Sequence, residues 1–297
     1  MTKINFYHSL IFFNLCITLA GIEYLREGSF LIISLFLILT IGISHGSLDH
    51  IKGKKLIKYL GYKSISVFYL GYIFVGITTI IIWLIFPKFL LFLFLIIAAF
   101  HFGKEDSEFI DKKKNFELVY FLKGSLIISA PLFFHKGETL AIFETLNFNI
   151  SNSFLIANEI LIIFILLSLV SGVFLSLKKN IEVKSLLLMD YLSILVLNYF
   201  LNPIIAFTVY FCFLHSIRHS MSLINEINKN LKKGFPIFIK KALPLTIFTI
   251  IGYILSILVL NNYNELNETI YQVIFIGLAS LTFPHILLEY LIEKNEQ

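Results

Sequence analysis

The chain has 297 residues, 58% of them hydrophobic and only 14% charged. Its mean hydropathy of +0.86 excludes an ordinary soluble domain, in which about a quarter of the residues are charged. The net charge of +5 reads as membrane orientation and not as a nucleic-acid footprint, because Lys and Arg collect in the inside loops of membrane proteins.

Membrane spans need about 20 mostly apolar residues. Such runs occur at 7–24, 29–50, 64–86, 88–103, 116–134, 153–177, 185–200, 203–221, 241–260 and 269–292. The run after Lys3 superficially resembles a signal peptide, but the nine further runs make a first span the better reading. Cys16 and Cys212 both lie inside apolar runs, so neither a disulfide framework nor a Cys-based zinc site is expected. No linker or repeat divides the chain. The reading is therefore one all-α polytopic membrane domain over 1–297, a bundle of about ten transmembrane helices with both termini cytoplasmic. With the N-terminus inside, every Lys and Arg except Arg26, Lys88 and Lys136 falls on the inside.

The second run ends in G-I-S-H-G-S-L-D-H at 42–50. Proton-exchanging side chains at the end of an apolar helix are costly unless they are paired or metal-bound, which marks a functional site. The spans running from outside to inside carry His45 and His50, His101, His215 and His219, and His285 at one membrane depth, whereas His8 and His135 read as interfacial. A single histidine usually reads as a satisfied interior residue. Imidazoles from several helices at one depth instead suit Fe, Zn or Cu.

Residues four apart on an α-helix are neighbours and residues five apart diverge. In H-S-I-R-H, His215 and His219 therefore share a face and are able to ligate one ion. In H-G-S-L-D-H, His45 shares a face with Asp49, which ranks His45 as a ligand and His50 as a supporting or substrate-side group. The same step pairs His101 with Glu105 and His285 with Glu289, and a carboxylate on a ligating imidazole fixes its tautomer. The competing reading of Glu105, Asp106 and Glu289 is solvated helix ends. Arg218 is a candidate partner for Asp49 or Asp106, or simply part of the Lys/Arg-rich inside edge. Gly42 and Gly46 form a small-xxx-small step that suits close helix packing. Pro284 is expected to bend the last helix and aim His285.

H-G-S-L-D-H, H-F-G-K-E-D, H-S-I-R-H and F-P-H-I-L-L-E, in this order from the second span to the last, together resemble the Brp/Blh family of membrane β-carotene 15,15′-dioxygenases. The resemblance implies a non-haem Fe(II) enzyme that uses O₂ to cleave β-carotene centrally into two all-trans-retinal molecules, which would supply a microbial rhodopsin. It implies His45, His101, His215 and His219 as iron ligands. Asp49, His50 and His285 are also present in the pattern, and Glu105 and Glu289 join them here as supporting groups. The site would lie toward the cytoplasmic side of the cell membrane, and the lipid bilayer would be the chain's surroundings. An apolar tunnel for the polyene is expected, with Phe100, Phe102, Phe211 and Phe213 as candidate walls. Two other classes stay open at this point. One is a desaturase- or hydroxylase-like membrane oxidase with two metals, although adjacent histidine pairs are absent; the other is an ion or proton transporter.

Overall fold

A computed structural model describes residues 2–22, 25, 30–44, 46–107, 110, 116–148 and 156–295, and among these the regular structure is helical, without strands. Helix α1 covers Thr2–Ala20, and α2 (Leu31–Leu37) continues as a π-helical stretch, Ile38–Gly42. A 3-10 turn at Gly46–Leu48 leads into α3 (Asp49–Tyr59), and α4 (Ser66–Ile85), α5 (Pro87–Glu105), α6 (Glu117–Gly124), α7 (Leu126–Phe134) and α8 (Lys136–Thr145) follow. After α9 (Asn158–Ser176) and α10 (Ile181–Phe200), α11 (Pro203–Val209) passes through a second π-helical stretch, Tyr210–Ser216, into α12 (Ile217–Ile227). The last two helices are α13 (Leu231–Leu260) and α14 (Leu266–Asn295).

Local chemistry sets the boundaries. Asn180, Asn202 and Asn230 each accept a hydrogen bond from a backbone N–H of the helix they precede, and Pro87 and Pro203 open theirs without needing an N–H. Among the described residues, nine stretches are long and apolar enough to cross a membrane, and they follow the second to tenth expected spans in order. The expected first span, α1, is not among them. Lys3, Asn5, His8, Ser9 and Asn14 dilute its apolar residues.

Helices α4 and α13 are peripheral and expose Leu70, Phe74, Phe248 and Leu258, while Ile38, Leu91, Leu197, Ile204 and Leu214 are fully buried in the interior. Helices in hydrocarbon gain little from apolar burial against each other, so close packing and polar ties carry the association. Two such features position the later site. At the crossing of α5 and α6, a Cβ on Gly103 would lie 1.8 Å from the Tyr120 carbonyl oxygen, and one on Gly124 would lie 1.8 Å from that of Ala99. Only glycine fits at either position.

The second feature is a buried charge pair. Arg218 on α12 donates to both Asp190 oxygens on α10, at 2.7 and 3.1 Å, and to Ser9 Oγ on α1 at 2.8 Å. Ser9 in turn donates to Asp190 at 2.7 Å. Asp190, not Asp49 or Asp106, is thus the carboxylate that Arg218 grips. A guanidinium in hydrocarbon requires such a bidentate partner.

Two outcomes follow for purified protein. Gly103→Ala should lower the thermal midpoint or abolish folded yield, by more than the ~1–3 kcal/mol of ordinary overpacking, because backbone would have to move. Arg218→Leu alone should cost about 3–5 kcal/mol by leaving Asp190 unpaired, and adding Asp190→Leu should recover most of it; no recovery would show that the pair is not what matters.

Candidate metal centre

Three separate segments bring imidazoles together. His101 comes from the last turn of α5, His215 from the π-helical stretch, His219 from α12 and His285 from α14. The ring centroids of His101 lie 5.4 Å from those of His215 and 5.3 Å from those of His285, and His219 lies 5.9 Å from His285. All four are buried, none more than 7% exposed. His8, which donates to the Phe213 carbonyl, and His135, beside Glu138, lie apart from this group.

Each of three imidazoles is held by a carboxylate from another segment. His215 donates Nδ1–H to Asp106 at 3.1 Å, His219 to Glu105 at 2.5 Å and His285 to Asp49 at 2.8 Å. Carboxylates only accept here, so the proton is fixed on Nδ1 and the lone pair on Nε2. The Nε2 atoms of all three are shut off from solvent. Tyrosines hold two of the carboxylates in turn: Tyr210 donates to Asp106 at 2.7 Å and Tyr72 to Asp49 at 2.8 Å.

Glu289 joins the two ends of the group. Donor atoms of His101, His285 and Glu289 lie within 4.8 Å of one another, as do those of Glu105, His219 and Glu289. Lys52 donates to Glu289 at 2.7 Å, and Glu289 lies 3.8 Å from His285 Nε2. These residues fit a divalent metal. Their imidazole nitrogens would be its donors, and the carboxylates behind them would supply the negative charge that a buried cation needs.

The structure differs from the sequence-based expectations in identifiable ways. His45 lies outside the described residues. The expected pairing of His45 with Asp49 therefore also lies outside the described residues, and Asp49 starts a new helix. Of the other four-residue pairs, Glu289 lies 3.8 Å from His285, whereas Glu105 accepts from His219 and Asp49 accepts from His285 across helices. Asp106 and Glu289 are not solvated ends: Asp106 is 4% exposed and the Glu289 side chain 12%. His50 donates Nδ1–H to the Ser47 carbonyl at 2.9 Å. Tyr72, Tyr210 and Lys52 were missed; Lys52, two residues after His50, and Tyr210, five before His215, lay close in sequence to a motif, and Tyr72 did not.

The two π-helical stretches face each other. A Cβ on Gly42 would lie 2.6 Å from the Phe211 ring, and Ser216 Oγ donates to the Gly42 carbonyl at 3.0 Å. Gly42 therefore serves close packing as expected. Gly46 does not: it borders open space.

That space is a cavity of about 320 Å³ whose lining includes Gly46, His50, Phe68, Tyr72, Phe102, Phe211, His101 and His285. Phe102 and Phe211 are walls, as expected. Phe100 instead packs beside Tyr120 and Leu186, and Phe213 against the main core. Residues two apart on a helix point about 200° apart, so one helix face supplies one of each pair and not both.

Residues 36–293 match the profile of the β-carotene 15,15′-dioxygenase family. A β-carotene 15,15′-dioxygenase from an uncultured marine bacterium, 66A03, is 28% identical over 263 residues, covering 86% of this chain and 91% of that protein. No solved structure matches. With a profile match running from α2 to α14, over the whole of the histidine–carboxylate group, the chain belongs to the β-carotene 15,15′-dioxygenase family.

Proposed function

We propose that this protein cleaves the central 15,15′ double bond of β-carotene with O₂ to give two all-trans-retinal molecules, at one Fe(II) held by His45, His101, His215 and His219. Family membership supports the substrate and the reaction class. The observation that carries the reading is the cavity with apolar aromatic walls that ends on His101 and His285, inside the group of carboxylate-held imidazoles.

Fe(II), when bound, supplies the unpaired electrons through which triplet O₂ can engage a closed-shell polyene. The chain's own groups do the rest. Asp106 and Glu105 keep the proton of His215 and His219 on Nδ1, so that Nε2 stays a donor toward the centre. Tyr210 fixes Asp106, and Tyr72 with Asp49 fixes His285 beside the ion. Glu289, held by Lys52, offsets positive charge on the same flank. Phe102 and Phe211 exclude water and hold the polyene, and positional selectivity follows from which bond the walls bring to the centre.

The stoichiometry explains what the site lacks. One C=C bond breaks, two C=O bonds form and both atoms of O₂ are used, with no net proton or external electron. No general acid or base is required, and every carboxylate of the group is engaged in holding another side chain. The Lys and Arg asymmetry along the chain supports a site toward the cytoplasmic side of the cell membrane. Retinal released there would be available to a microbial rhodopsin.

Expression in cells that accumulate β-carotene should bleach them and yield two retinal per carotene lost. The purified protein should hold one iron per chain; two would favour a desaturase-like centre. His219→Ala should lose both iron and retinal formation. Asp106→Asn, which removes the acceptor charge behind His215 at constant volume, should weaken iron binding by roughly 10–100-fold, measured by competition with a chelator.

A further inference from the structure

We propose that the polyene reaches the centre sideways from the hydrocarbon, through a slot between α4 and α13, and that Ile77 and Thr249 are the opposing residues that set its width. This rests on the carotene-cleaving reading and extends it to the route by which substrate arrives.

The cavity that ends on His101 and His285 has two zones. Its inner walls, Phe102 and Phe211, are buried. Its outer walls are not. Ile73 and Ile77 on α4 are 54% and 52% exposed, and Phe248 on α13 is 73% exposed. All three lie within membrane-length apolar helices, where an exposed side chain faces lipid. The cavity is therefore continuous from a lipid-facing mouth to the imidazoles.

The packing explains why a slot exists there. Helices α4 and α13 each lean on α14, and there is little contact between them. Near the site a 2.7 Å hydrogen bond between Ser47 and Thr246 ties α13 to the turn before α3. Ile73 and Ile77 are four apart and form a stripe along α4, a smooth apolar rail that matches a rod-shaped polyene. The charged group of the cavity is tied down: Asp49 is bound to Tyr72 and to His285. A long hydrocarbon gains nothing by leaving the bilayer for water before binding, because each carbon exposed to water adds to the cost. A lipid-side mouth removes that step.

The second large groove, along Thr40, Ile217, Met221 and Phe235, is lined by no histidine among the described residues.

The test uses full-length, iron-loaded protein in vesicles that contain β-carotene. Ile77→Trp and Thr249→Trp narrow the slot from its two walls; Ile77 faces lipid, so its replacement does not overpack the core. Val170→Trp, at an equally lipid-exposed position on α9 outside the cavity, is the control. The expected result is a fall of about tenfold or more in kcat/KM for β-carotene in each slot variant, since small misplacements of substrate cost on this scale. Iron content and the KM for O₂ should be unchanged, and the control should behave as wild type. Slot variants that keep their iron and turn over β-carotene like wild type would overturn the proposal alone. So would an equal loss in the Val170→Trp control. A wild-type protein that leaves β-carotene intact in the same vesicles would instead overturn the carotene-cleaving reading beneath it.

Discussion

An imidazole in hydrocarbon has two nitrogens to satisfy, and the interior of this bundle is arranged around doing so in one sense only. Nδ1 of His215, His219 and His285 is donated to Asp106, Glu105 and Asp49, each carboxylate lying on a different segment from its histidine. The lone pair is then on Nε2 in all three. Leaving one of these polar groups unsatisfied in the interior would cost on the order of 1–3 kcal/mol, so the pairs tie helices together while fixing tautomers. Packing elsewhere serves this arrangement. The Gly103–Gly124 crossing holds the end of α5, where His101, Glu105 and Asp106 project. The Arg218–Asp190–Ser9 tie holds the turn between His215 and His219 from the opposite side of α12.

The proposed central cleavage accounts for the character of the cavity. A reaction without net proton transfer needs no exposed acid or base, and a polyene offers no polar handle. Recognition falls to shape and to aromatic walls. The polar groups of the site are correspondingly withdrawn behind the imidazoles, in Tyr–Asp–His chains that end at Tyr72 and Tyr210. The π-helical stretches at Ile38–Gly42 and Tyr210–Ser216 meet at Gly42 and Phe211, next to this wall. Widened turns of this kind are frequent at functional sites because they re-aim side chains at little length.

Much of the architecture was legible from one dimension. Apolar runs predict spans because hydrocarbon permits only internally bonded helices, and nine of the ten were recovered in order. The histidine clustering was legible for a related reason: alternate spans return to the same end of the bundle, and polar residues stand out against apolar sequence. Carboxylate partnership was legible only in part: the four-residue step finds Glu289 3.8 Å from His285 but pairs Glu105 with His101, where the hydrogen bond comes from His219. It is also blind to the neighbour on another helix, which is why Asp106 and Glu289 read as solvated ends and are in fact enclosed.

The sequence by itself determined the solvent, the helices, the grouping of His101, His215, His219 and His285 and, through four ordered motifs, the family. Those properties depend on composition and on spacing along one chain. The tertiary structure alone decided that Asp49 serves His285, that Glu105 serves His219, that Asp106 is buried between His215 and Tyr210, and that Arg218 answers Asp190. It also decided that Phe102 and Phe211, and not Phe100 or Phe213, face the cavity. Each of these is a contact between residues far apart in sequence, and such contacts are set by how helices rotate and cross, which no single helix's periodicity contains.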